Sequence, residues 1–145
     1  TEGGFVSDFR IRAHEIADGV LFDENGLRVT ALHTHHLPHG EGEPWRAFGF
    51  LIECEGQRIV YSGDTRGVED YAPLLPADLL LMETGHHHPP EVARELLGRG
   101  LFPARLAFIH HGRDILDRRA EQEAALDRLC PGRWEILHDA QTLEL

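Results

Sequence analysis

Apolar and polar residues alternate with a period of two through Phe9, Ile11 and Ala13 against Arg10, Arg12 and His14, which predicts a half-buried strand. A second strand is expected around Val20 to Phe22. It ends at Asn25-Gly26, a strong hairpin-turn signal, and Leu27 to Thr34 follows as its partner. The stretch His35 to Arg46 holds prolines and glycines without periodicity and reads as a loop. Phe48 to Cys54, the turn Glu55-Gly56-Gln57, and Arg58 to Ser62 then form a second hairpin that runs into Gly63-Asp64-Thr65.

From Asp78 onward the rhythm changes. Asp78 to Met82 and Arg105 to Ile109 are short, nearly continuous apolar runs, the pattern of strands covered on both faces. Each precedes a helix. Pro89-Pro90-Glu91 opens the first, with Val92, Ala93, Leu96 and Leu97 as its apolar stripe. Asp117 to Cys130 is the second, with Ala125, Leu126, Leu129 and Cys130 facing inward and Pro131-Gly132 ending it. Trp134 to Leu137 and Thr142 to Leu145 read as closing strands. Hairpins followed by strand-helix alternation predict an α+β fold, a mixed sheet with helices on one outer face.

The 145 residues suffice for one domain, or part of one. A net charge of −11 argues against general nucleic-acid binding, although bound cations can invert the field locally and admit a phosphoester. Cys54 and Cys130 match no disulfide or thiolate-metal spacing, so a reducing, cytoplasmic setting is expected. No run reaches the roughly 18 apolar residues of a membrane helix, and a soluble protein without membrane contact is expected. Thr1 is no natural initiator, which suggests chain upstream.

Nine of the eleven histidines fall in three clusters: His33, His35, His36 and His39; His86, His87 and His88; His110 and His111. Each cluster follows an expected strand, and so does Asp64, at the end where open sheets place their ligand sites. Neutral imidazoles and a carboxylate converging there make an N/O donor set for zinc, manganese or iron(II). The bland readings are a solvated histidine loop and an Asp64 that merely caps its turn.

The segments Val29-Thr30-Ala31-Leu32-His33-Thr34-His35-His36, Phe48-Gly49-Phe50-Leu51-Ile52-Glu53 and Tyr61-Ser62-Gly63-Asp64-Thr65 together resemble the second half of the metallo-β-lactamase superfamily, closest to its ribonuclease Z-like branch. Ala77 to Thr84, Gly85-His86 and Leu106 to His110 continue the resemblance, which covers roughly Phe9 to Leu145. The resemblance implies an αββα sandwich, of which residues 1–145 would be the carboxyl-terminal half. It implies two divalent metal ions, zinc first and manganese or iron as alternatives, about 3.5 Å apart and bridged by Asp64 and a hydroxide. His36 would hold one metal and His110 the other, with His111 the alternative at that strand end because neighbours on a strand face opposite sides. His86 would protonate the leaving group, with Glu83 orienting it, and His87 or His88 could take that role instead. The implied activity is hydrolysis of a small ester or phosphodiester.

Two departures qualify this. The motif HxHxDH, which supplies the superfamily's remaining ligands, occurs nowhere in the chain. A missing amino-terminal half or a second chain is therefore the expected partner, and the alternative function is a non-catalytic half-domain that serves as an interaction module. In addition, His110-His111-Gly112-Arg113-Asp114 stands where tRNA-processing members carry HFSxRY. Only 64 − 36 = 28 positions separate His36 from Asp64, leaving no room for a basic tRNA-gripping arm. With the acidic charge, this argues against tRNA as substrate.

Overall fold

The computed structural model describes residues 13–144. Seven strands form one sheet in strict chain order: β1 (Gly19–Glu24), β2 (Leu27–His33), β3 (Phe48–Cys54), β4 (Gln57–Tyr61), β5 (Leu79–Thr84), β6 (Arg105–His111) and β7 (Trp134–Ile136). The pairings from β1 to β4 are antiparallel and those from β4 to β7 parallel. The first group is joined by tight turns. Asn25 and Gly26, like Glu55 and Gly56, have the positive φ angles that short hairpin turns require.

Parallel strands need crossovers. Two 3₁₀ turns, Val68–Asp70 and Ala72–Leu74, lie between β4 and β5; α1 (Pro89–Gly98) joins β5 to β6 and α2 (Arg113–Leu129) joins β6 to β7. Crossovers of one hand stepping in one direction put both helices on the same face. That face is the core. Leu51, Val60, Leu80, Leu106 and then Phe108 with Met82 and Ile136 line it from neighbouring strands, against Val92, Ala93 and Leu96 of α1 and Ile115 and Leu126 of α2.

The opposite face is also apolar. One cross-strand row runs Ala31, Phe50, Tyr61, Leu81, Ala107, and a second runs Val29, Ile52, Ile59, Leu79. Phe50 and Tyr61 stack with centroids 6.2 Å apart. No helix of the described residues covers these rows, and Phe50, Ile52, Ile59, Tyr61 and Leu81 remain partly exposed. At the sheet edge, Val20, Leu21 and Phe22 of β1 are exposed as well.

The α+β class and the mixed sheet agree with the sequence reading, and three details differ. α2 begins at Arg113 instead of Asp117, with a break in helical geometry at Arg118. Leu97 is exposed, because the α1 stripe closes on Val92, Ala93 and Leu96. Residues 142–144 form no strand, since β7 already ends the sheet and they pair with no neighbouring strand. The strand expected at Phe9 to Ala13 lies outside the described residues except for Ala13, which is not in a strand. Among the described residues no helix is long and apolar enough to cross a membrane.

Phe108 is fully buried, whereas Leu116 on α2 is 70% exposed. Phe108→Ala should therefore cost about 3–5 kcal/mol of unfolding free energy, and Leu116→Ala less than about 0.5 kcal/mol. Urea denaturation of the two variants checks this; equal losses would mean that the helices do not pack on the β6 face as described.

Candidate metal centre

Topology sets the site. Because β2 is antiparallel to β3 and β3 to β4, β2 and β4 point the same way, and β5 and β6 share that direction. The carboxyl ends of β2, β4, β5 and β6 thus emerge at one edge of the sheet. His36 follows β2, Asp64 follows β4, Glu83 and His86 lie at the end of β5, and His110 lies near the end of β6.

Asp64 is presented by a tight turn. Gly63 has φ 60, and a Cβ there would sit 2.1 Å from the carbonyl oxygen of Phe48. Only glycine fits. Ser62 ties the turn to β5: its hydroxyl accepts the Glu83 amide at 3.0 Å and donates to the Gly63 carbonyl at 2.8 Å. Buried Thr34 donates its hydroxyl to the Asp64 carbonyl at 2.7 Å, which fixes the end of β2 against the same turn.

Both Asp64 oxygens face imidazoles. Oδ2 lies 3.8 Å from Nε2 of His36, and Oδ1 lies 2.9 Å from Nδ1 of His110. His110 reaches this position through a bulge. Glu83 pairs with Ile109 and Thr84 with His111, so His110 is the extra residue, with a left-handed φ of 50. His111 turns away, its Nε2–H donating to the Leu137 carbonyl at 2.6 Å.

Glu83 is 1% exposed and accepts from several donors. The amides of Thr65 and His86 donate to it at 3.3 and 3.0 Å, and the His86 Nδ1–H donates at 3.0 Å. His87 Nε2 lies 3.4 Å away and also meets the Thr65 hydroxyl at 2.9 Å. This is the Glu83–His86 pairing that the sequence resemblance implied. The triplet divides by position: the His86 ring lies 4.5 Å from that of His36 and 6.0 Å from that of His110, His87 packs beside Thr65, and His88 pairs with Asp114.

The donor set fits divalent cations of the zinc class: imidazoles and carboxylates on one edge, with a carboxylate whose two oxygens face two different histidines. The ligand atoms that cluster most closely are those of Asp64, Glu83 and His86, all within 4.8 Å of one another. This group overlaps the expected His36, Asp64 and His110 at Asp64 alone. Glu83 already accepts two backbone amides, so the more exposed Asp64 and the histidines are the better free donors.

A cleft of about 690 Å³ opens beside these groups, its lining including His36, His86 and His87 together with Leu37, Pro38, Trp45 and Arg66. The indole of Trp45 is nearly parallel to His33 at 4.0 Å and to His39 at 3.8 Å. Below it, buried Asp70 accepts the His35 Nδ1–H at 2.6 Å and the Arg66 amide at 2.7 Å. Thr34, Ser62, Thr65, Asp70 and Trp45 have no role in the sequence reading. Thr34, Ser62 and Thr65 lie within the segments that carry the resemblance, whereas Asp70 and Trp45 carry no signal.

Two outcomes follow from this geometry. Burial pushes the Asp70 carboxyl up, but the bonds from the Arg66 amide and His35 outweigh it and leave the group below its ordinary value of 3.8. A lowered folded-state value means stability that is fully present above about pH 4, the unfolded carboxylate range, and lost as pH falls through the folded value. The stability gap between the wild type and Asp70→Asn should thus narrow below about pH 4 in urea melts; a gap that widens on acidification would contradict the assignment. His110 carries backbone strain of about 1–2 kcal/mol for a non-glycine residue in that region. His110→Gly should accordingly be more stable than His110→Ala by about 1 kcal/mol, while both lose the imidazole. Equal melting curves would place His110 in a relaxed backbone.

No curated protein matches the sequence significantly. A metallo-beta-lactamase fold protein, YhfI from Bacillus subtilis, is similar at 17% identity and TM-score 0.64, over 85% of this chain and 52% of its own. An isothiocyanate hydrolase from Delia radicum gut bacteria is similar at 18% identity and TM-score 0.66, over 90% of this chain and 59% of its own. A diphosphatase of the PhnP family is similar at 16% identity and TM-score 0.52, over 88% of this chain and 46% of its own. The chain thus spans about half the length of these solved structures. The sequence profile of the beta-lactamase superfamily domain matches residues 2–134, and the chain belongs to that family.

Proposed function

We propose that this chain is the carboxyl-terminal half of a metal-dependent hydrolase that cleaves a small phosphodiester or related ester. The observation that carries the reading is the convergence of His36, Asp64, His86 and His110 on one edge of the sheet, with Asp64 facing two imidazoles. His36 would hold one divalent cation, His110 a second, and Asp64 would span both. Zinc suits the set best, and manganese and iron(II) fit the same donors. Bound there, the cations would lower the proton affinity of water and neutralise charge building on the substrate.

The chain's own residues supply the rest. With the Nδ1–H of His86 given to Glu83, Nε2 is the nitrogen left to pass a proton to the leaving group. Glu83 keeps the ring oriented, and the Thr65 and His86 amides keep Glu83 in place. A second reading has a specific basis: Asp64, Glu83 and His86 lie within 4.8 Å of one another, which would suit His86 as a metal ligand.

The substrate class is supported by motif order closest to the ribonuclease Z-like branch and by the likeness to a diphosphatase. The likeness to an isothiocyanate hydrolase shows how little this fold restricts chemistry. The net charge of −11 and the short span between His36 and Asp64 speak against tRNA. The remaining ligands would come from an amino-terminal half or a second chain seated on the open sheet face. A non-catalytic module using that face for assembly is the alternative, favoured by the same exposed rows.

The test uses the chain joined to a partner half that carries HxHxDH. Asp64→Ala should abolish nitrophenyl phosphodiester hydrolysis and deplete metal. His86→Ala should keep metal and lower turnover by about 10²- to 10⁴-fold, more on an alkyl than on a nitrophenyl ester, because a poor leaving group depends more on an acid. Equal losses with depleted metal would make His86 a ligand. Undiminished activity in Asp64→Ala would end the hydrolase reading at this site.

A further inference from the structure

The cations of this acidic chain are mostly committed. Arg28, Arg58, Arg99, Arg105, Arg118 and Arg119 each meet a carboxylate. Arg66 does not, although it stands two residues after Asp64 on the wall of the cleft. Its backbone is fixed, the amide donating to Asp70 at 2.7 Å, while its guanidinium has no hydrogen-bond or ion-pair partner among the described residues.

The nearby carboxylates are occupied by other donors. Asp70 takes His35 and the Arg66 amide, and Glu69 takes Arg99 at 2.6 Å. Asp64 faces His36 and His110, and Glu83 faces His86 and His87. An anchored backbone with an uncommitted guanidinium, on a cleft that Trp45 and Leu37 also line, combines a planar charged fork with apolar surface. Such a fork matches the paired oxygens of phosphate or carboxylate.

We propose that Arg66 is a specificity residue that binds an anionic group of the substrate distinct from the bond being cleaved, with Trp45 and Leu37 against the apolar part beside it. This deepens the hydrolase reading and takes from it that the cleft receives the substrate. The preferred substrate is then an ester carrying a second anionic group, and neutral esters are poor ligands.

Phenyl phosphate and benzoate serve as probes, titrated into the chain in the presence of EDTA so that no metal contributes, with ligand-observed NMR as readout. Circular dichroism checks that each variant is folded. Arg66→Ala should weaken binding by about 10-fold or more, the loss of one charge-assisted contact. Arg66→Lys should restore part of it, and Arg94→Ala, on the exposed side of α1, should change nothing. Phenol should not compete. Preference for phenyl phosphate would identify a phosphate group, and preference for benzoate a carboxylate. Unchanged binding in Arg66→Ala, an equal loss in Arg94→Ala, or no binding of either anion by the wild type would overturn the proposal. Because the probes are read without metal and without turnover, a failed hydrolase reading and a failed anion subsite give different results.

Discussion

The site is organised around a buried carboxylate that must keep its partners. Glu83 is nearly inaccessible to water, and an ionised carboxylate in that position is costly unless donors surround it. Those donors come from two places: the Thr65 amide, just after β4, and the His86 amide and ring, just after β5. The loop bearing Asp64 and the loop bearing His86 are therefore not free to move apart, since separation would strand the charge. Ser62 repeats the tie three residues before Thr65 through the Glu83 amide, and Thr34 extends it to β2 through the Asp64 carbonyl. No described buried side-chain polar atom lacks a partner, so the network closes without strain from orphaned groups.

This arrangement separates two kinds of residue by what the sequence could reveal. Strand identity was legible because alternation and apolar runs report which face is buried, and the histidine clusters were legible because each follows such a strand. The ties were not. Thr34 meets a carbonyl thirty positions away and Ser62 an amide twenty-one away, and nothing local in a threonine or serine announces a long-range partner. The choice between His110 and His111 was equally hidden, because plain alternation cannot say where a bulge falls. One unpaired residue inserted in β6 reverses which histidine points to the site.

Helix limits failed for a related reason. The start expected at Asp117 misses Arg113 to Leu116, although Ile115 in that turn is one of the two buried residues of α2, because one buried position followed by none before Leu126 sets no helical period. The expected strand at Thr142 to Leu145 illustrates the reverse error. Residues 142–144 leave the outer edge of β7 unpaired, so a strand-like composition alone does not make a strand.

The open sheet face and the candidate metal centre are connected by position. A depression beside His36 and Asp64 is lined also by Phe50 and Tyr61, which belong to the first apolar row of the uncovered face. Whatever covers that row must therefore end within reach of Asp64. Sheets packed face to face lie about 10 Å apart, so a second sheet on Phe50 and Tyr61 would carry its own strand-end loops to the edge where His36, Asp64 and His110 already gather. Burial of the apolar rows would drive the association, and the loops at its edge would complete the donor set. The relatives' greater length leaves room for such a layer, since the matched part is 46–59% of their chains. On the proposed reading assembly and metal binding would be one event, because the contact that removes Phe50 and Tyr61 from water would also bring further donors beside Asp64.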